Sequence, residues 1–102
     1  MYHFKWWLRM PHLVFEWDNE NTSHLACHRI NPGEVEELFD NDPEIKSHEV
    51  VAGEDRWAAV GVTRLLRVLV VIFTVRHDRV RTITGWDADK RTKKEYFTRK
   101  GT

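Results

Sequence analysis

Val68-Leu69-Val70-Val71-Ile72-Phe73 is an uninterrupted apolar run rich in β-branched residues, and it restricts the fold more than any other stretch. A bilayer-spanning helix needs about 20 such residues, so the run is too short to cross a membrane and suits a central strand covered on both faces. Arg76-His77-Asp78-Arg79 then reads as a turn, and Val80 to Gly85 as a second strand. Along it Arg79, Arg81 and Ile83 point one way while Val80, Thr82 and Thr84 point the other. A buried strand beside one that alternates arginine with apolar residues predicts a sheet with one packed face and one face able to hold an anion.

The flanking segments supply the rest of an α+β fold. Leu13, Phe15 and Trp17 alternate as a short strand, and residues 1–9 look like an N-terminal extension of a single domain spanning residues 1–102. Asp18 is a fitting N-cap for a first helix over 19–29. Asn31 caps a second, with Pro32 at its first position, Glu34 reaching back, and Val35, Leu38 and Phe39 as its apolar stripe. Strands follow over 45–51 and 56–62, joined by a turn over 52–55. The chain closes with a helix over about 87–99, acidic at its start and basic at its end, as the helix dipole favours. The predicted order is β-α-α-β-β-β-β-α, with the first two helices on one sheet face and the other face left for the last helix and a ligand.

Charge is segregated along this order although the net charge is +0. Residues 16–55 hold 12 acidic against 2 basic side chains, a balance of −10, and residues 76–102 hold 9 basic against 4 acidic, a balance of +5. A basic end is compatible with nucleic-acid binding; the alternative is that the two halves face and neutralise each other. One cysteine, Cys27, excludes an internal disulfide and suits a reducing cytoplasm, and Lys5 and Arg9 interrupt any signal-peptide core.

Arg56, Arg76, Arg79 and Arg81 could converge on the sheet, where guanidinium forks suit bidentate phosphate contacts; each could equally be solvated or paired with Glu49, Glu54 or Asp55. His24 and His28 share a face if the first helix continues, with Cys27 nearby, but no third ligand stands at a recognisable spacing, so neither a metal nor a cofactor is expected. Proton exchange suits a histidine better, and a plain hydrogen-bonding role remains open. Lys90, Arg91, Lys93, Lys94, Arg99 and Lys100 interleave with Tyr96 and Phe97, a pattern that either tracks a phosphate backbone or is a solvated helix packing its rings on the sheet.

In order and spacing, several segments resemble the BrnT family. They are Phe15-Glu16-Trp17-Asp18 with Asn21, His24 and His28; Pro32 to Glu37; Glu54 to Gly61; Leu69 to Arg76; and Val80 to Thr84 before a basic helix containing Glu95 and Tyr96. The likeness spans about residues 13–97. It implies a RelE-like fold and a cytoplasmic ribonuclease toxin of a type II toxin–antitoxin pair that arrests translation. It also implies a BrnA-like DNA-binding antitoxin as partner, in a hetero-oligomer that reaches DNA only through the antitoxin. Two positions depart from the family pattern. Gly85-Trp86-Asp87-Ala88 replaces Ala-Arg-x-Ala, so Trp86 stands where a basic residue is usual, and Leu66-Arg67 replaces Gly-Arg before the central strand.

The leading expectation is a metal-independent endoribonuclease. Arg56 and Arg81, supported by Arg76, would stabilise the phosphorane-like transition state, and His28 or Glu54 would move the proton. Arg79, Trp86, Lys90, Arg91 and Lys94 are the expected RNA contacts. A non-catalytic binding protein on the same scaffold, acting in an autorepressor complex, is the competing expectation, for which Trp86 is the main support. Mimicry of nucleic acid by the acidic stretch is a third, disfavoured because that stretch overlaps two structural helices.

Overall fold

A computed structural model of the protein describes residues 13–101; the N-terminal extension expected over 1–9 lies outside the described residues. The elements run β1 (Val14–Glu16), α1 (Asn19–Ala26), α2 (Pro32–Asp40), β2 (Glu44–Val51), β3 (Glu54–Val62), β4 (Val68–Arg76), β5 (Arg79–Asp87) and α3 (Lys90–Arg99), the order that the sequence predicts. The strands form one sheet, β1-β5-β4-β3-β2, antiparallel except for the parallel β1–β5 pair.

The apolar run becomes β4, the middle strand, and is covered on both sides. Leu69, Val71 and Phe73 join Leu25, Ile30, Val35, Leu38 and Phe39 in the core beneath α1 and α2. Val68 and Val70 pack with Val60, Ala88, Tyr96 and Phe97 beneath α3. α2 approaches β3 closely because position 61 is glycine. A Cβ there would lie 2.6 Å from Leu38 Cγ, well inside van der Waals contact. α3 is held toward the β2 side by Arg99–Glu44, Lys100–Asp42 and Lys46–Glu95 ion pairs.

Element boundaries depart from the sequence expectation where a non-glycine residue adopts a left-handed backbone. α1 ends at Ala26 rather than Arg29, because Arg29 (φ 58) closes it: the Arg29 amide donates to the Ala26 carbonyl at 2.9 Å and the Ile30 amide to the Leu25 carbonyl at 3.0 Å. This is a Schellman closure, completed by burial of Ile30 against Leu25. Without a glycine at 29, no local signal marks the stop. The two hairpins are tighter than expected, turning at Ala52-Gly53 (φ 52 and 79) and His77-Asp78 (φ 51 and 62). Positive φ at both central residues matches the right-handed twist of the strands. Helix α3 starts at Lys90, capped by Asp89 accepting from the Thr92 amide at 2.8 Å, so Asp87 stays in β5 opposite Leu69.

The alternation expected along β5 holds only to Thr82. A register shift pairs Phe73 with Thr82 but Ile72 with Thr84, leaving Ile83 as an extra residue. Thr84 consequently lies on the Arg81 face rather than the Val80 face, and Gly85 comes under Leu25 and Ile30.

Candidate functional site

Register brings the arginines together. Trp57 pairs with Phe73, which sets Arg56 level with Thr74, and Thr74 pairs with Arg81. Arg56, Thr74, Arg76 and Arg81 therefore share one sheet face, at the strand ends away from α3. Arg56, Arg76 and Arg81 line a groove of ≈ 280 Å³ with Glu20, Asn21 and His24 of α1 and Thr82 and Ile83 of β5. Thr82 Oγ1 is buried there without a hydrogen-bond partner among the described residues.

Glu54 sets the spacing of two of these cations. Its Oε1 accepts from Arg56 Nε at 3.2 Å, and its Oε2 accepts from Arg76 Nε at 3.0 Å and Nη2 at 2.8 Å. The Arg76 hydrogen bonds hold the Glu54 carboxyl below its ordinary range, burial opposes this, and Arg56 adds to the lowering. An acid so held stays ionised near neutral pH, which suits an anchor for two guanidinium groups and not a proton donor.

Arg81 is differently placed. It is only 5% exposed and is clasped by the acidic N-terminal end of α1. Its Nη1 donates to Asp18 Oδ2 at 2.7 Å and Glu16 Oε2 at 3.3 Å; its Nη2 donates to Glu20 Oε1 at 3.0 Å and Asp18 Oδ1 at 3.3 Å. The Asp18 hydrogen bond raises the Arg81 pKa and the Arg81 hydrogen bond lowers that of Asp18, so both directions favour the charged pair. Asp18 also caps α1, accepting from the Asn21 amide, while Asn21 fixes β1 by donating to the Glu16 carbonyl. Arg81 thus ties β1 and α1 to β5 and meets the groove at one end.

The histidine in the groove is His24. His28 falls in the turn after α1 closes at Ala26, so the two rings do not share a helix face; His28 is absent from the groove lining and lies near Asp87. His24 Nδ1 sits 3.3 Å from the Ile83 carbonyl oxygen. A carbonyl can only accept, so Nδ1 carries the hydrogen, and in the neutral ring the lone pair is on Nε2. Trp86, Lys90, Arg91 and Lys94 also lie outside the groove lining. Trp86 pairs with Val70 at the α3 end of β5 and is 39% exposed; Arg91 pairs with Glu95 along α3. Arg79 is exposed on the arginine face, with no acidic partner among the described residues.

The most heavily engaged arginine is Arg67, which is not among the candidate site residues that the sequence offers. Its Nε and Nη2 donate to the two Asp87 oxygens at 2.8 and 3.0 Å, and its Nη1 to both Glu34 oxygens at 3.1 Å. It also reaches the Arg29 carbonyl at 2.7 Å and the His28 carbonyl at 3.0 Å. Asp87 and then Glu34 push the guanidinium further toward its charged form against the effect of burial. Nothing local links these partners; the only hint is an arginine at the mouth of a buried strand. Leu66 beside it does adopt a left-handed conformation (φ 66), the strain expected where the family pattern has glycine.

Among the described residues no three His, Cys, Asp or Glu side chains are grouped to hold a metal, and no helix is long and apolar enough to cross a membrane. None of the curated proteins searched matches the chain. A family model described as "Ribonuclease toxin, BrnT, of type II toxin-antitoxin system" matches residues 17–95, a span that holds α1, the whole run from α2 to β5 and the arginines that line the groove. On that match the chain belongs to the BrnT family of ribonuclease toxins of type II toxin–antitoxin systems.

Proposed function

We propose that the protein is a metal-independent endoribonuclease of RelE-like fold that inhibits translation in the cytoplasm, with a BrnA-like DNA-binding antitoxin as its partner in a hetero-oligomer. The supporting observation is the convergence of Arg56 and Arg76, set side by side by Glu54, with His24 in one groove. In RNA cleavage of this type the ribose 2′-oxygen attacks phosphorus and the bond to the 5′-oxygen breaks, leaving a cyclic phosphate and a 5′-hydroxyl. His24 Nε2 takes the 2′-hydroxyl proton. Arg56 and Arg76 contact the non-bridging oxygens as charge builds in the transition state, and the fixed Glu54 spares them reorganisation. The groove is open to solvent, so water can protonate the leaving oxygen. Arg81 orients α1, and with it His24. Arg79, Trp86, Lys90, Arg91 and Lys94 are proposed to contact flanking RNA.

Incubation of the purified protein with single-stranded RNA and excess chelator tests this. The wild type is expected to cleave, and Arg56→Ala and Arg76→Ala to lower the rate by roughly 10²–10³-fold each, the scale of losing one transition-state donor. Induced expression of the wild type is expected to stop growth and bulk translation. Intact RNA in the wild-type reaction would refute the enzymatic reading. A non-catalytic binder in an autorepressor complex is the second reading, favoured by Trp86 in place of the family's usual arginine and by the carboxylates that surround Arg81. Such a protein shifts RNA or partner without cutting.

A further inference from the structure

We infer that Glu20 is an attenuating residue of the groove, a carboxylate that occupies the Arg81 position an RNA phosphate oxygen would take. The inference rests on the ribonuclease reading and adds a determinant of substrate affinity to it. Three carboxylates meet one guanidinium, Glu16, Asp18 and Glu20 around Arg81, so this end of the groove is negative while the Arg56–Arg76 end is positive. The three are not equivalent. Glu16 is held in β1, and Asp18 is committed to capping α1. Among the described residues the Glu20 side chain has no hydrogen bond besides the one to Arg81; it is 75% exposed, and it alone of the three lines the groove.

Glu20 is the exposed member of this pair, and Arg81 keeps Asp18 and Glu16 without it, so a phosphate can displace Glu20 by a rotamer change with little loss of fold stability. Arg81 Nη2 would then face the groove from a low-exposure site, where a charge-assisted contact to phosphate is stronger than at the surface. While Glu20 remains, it withholds that contact and repels the incoming anion. Affinity for RNA is thereby set below what three groove arginines could supply.

The test compares wild type, Glu20→Gln and Asp40→Asn for binding to a single-stranded RNA made uncleavable by 2′-O-methylation, over a range of salt. Asp40 is an exposed carboxylate on α2 outside the groove, so its variant reports the effect of net charge alone. Glu20→Gln is expected to tighten binding by about three- to tenfold, with one more phosphate contact steepening the slope of log K against log salt by about 0.7. On cleavable RNA the gain is expected in KM, with kcat near wild type, and the melting temperature should hardly move. Equal or weaker binding by Glu20→Gln overturns the inference, as does an equal gain in Asp40→Asn. If wild type cleaves RNA and Glu20→Gln gains nothing, only the inference fails; if neither protein binds RNA, the ribonuclease reading fails with it.

Discussion

Replacing Arg67 by alanine should be the most damaging single change outside the apolar core. The guanidinium fills six hydrogen-bond acceptor sites on three parts of the fold: the turn after α1, the first turn of α2 and the end of β5. Its removal leaves Glu34 and Asp87 facing each other's charge and strips two carbonyls of their donors. Breaking a well-buried ion pair costs about 3–5 kcal/mol. Here the side chains of Arg67 and Asp87 are 26% and 59% exposed, so water recovers part of that. A net loss of about 3 kcal/mol follows, and for a domain near 100 residues this lowers the melting temperature by roughly 12–24 °C. Arg67→Lys should recover only a minor part, because one ammonium cannot span both carboxylates and the carbonyls. Urea unfolding followed by tryptophan fluorescence measures it. A loss below about 1 kcal/mol for Arg67→Ala, with an unchanged m-value, would show that Arg67 does not anchor the fold.

Other outcomes follow from the same geometry. His24→Ala should lower cleavage by about 10²-fold or more, whereas His28→Ala should stay within a few-fold of wild type; equal losses would remove His24 from its role. Trp86→Ala should weaken RNA binding by about fivefold or more with kcat unchanged if the exposed ring stacks on a base, and unchanged binding would assign it to the scaffold. Acid should destabilise the protein in a defined window. Hydrogen bonds from Arg67 and Arg76 depress Asp87 and Glu54 below their ordinary values of 3.8 and 4.5. Their contribution is therefore complete above those values and is lost as pH falls through the depressed ones. The melting temperature should fall steeply below about pH 4 in wild type and less steeply in Arg67→Ala; parallel curves would exclude the linkage.

Much of the architecture is written locally. The apolar run of β4, the Asn31-Pro32-Glu34 cap of α2 and the arginine alternation at the start of β5 each carry their instruction within a few residues, so element order and the strand positions of Arg56 and Arg81 are readable from the chain. Signals that need a distant neighbour are not. The stop of α1 depends on Arg29 accepting a left-handed backbone because Ile30 finds Leu25 in the core, and that stop separates His24 from His28. The extra residue Ile83 exists because β5 must satisfy both β4 and α1, and it turns Thr84 to the other face. Arg67 and Arg81 hold the same formal charge as Arg56, whose partner Glu54 is two positions away, yet their own partners lie 20 to 65 positions away in sequence. Sequence alone determined which side chains could meet a phosphate. Tertiary packing decided which of them are spent on holding the fold, because a guanidinium commits to the carboxylates that the neighbouring elements bring within reach.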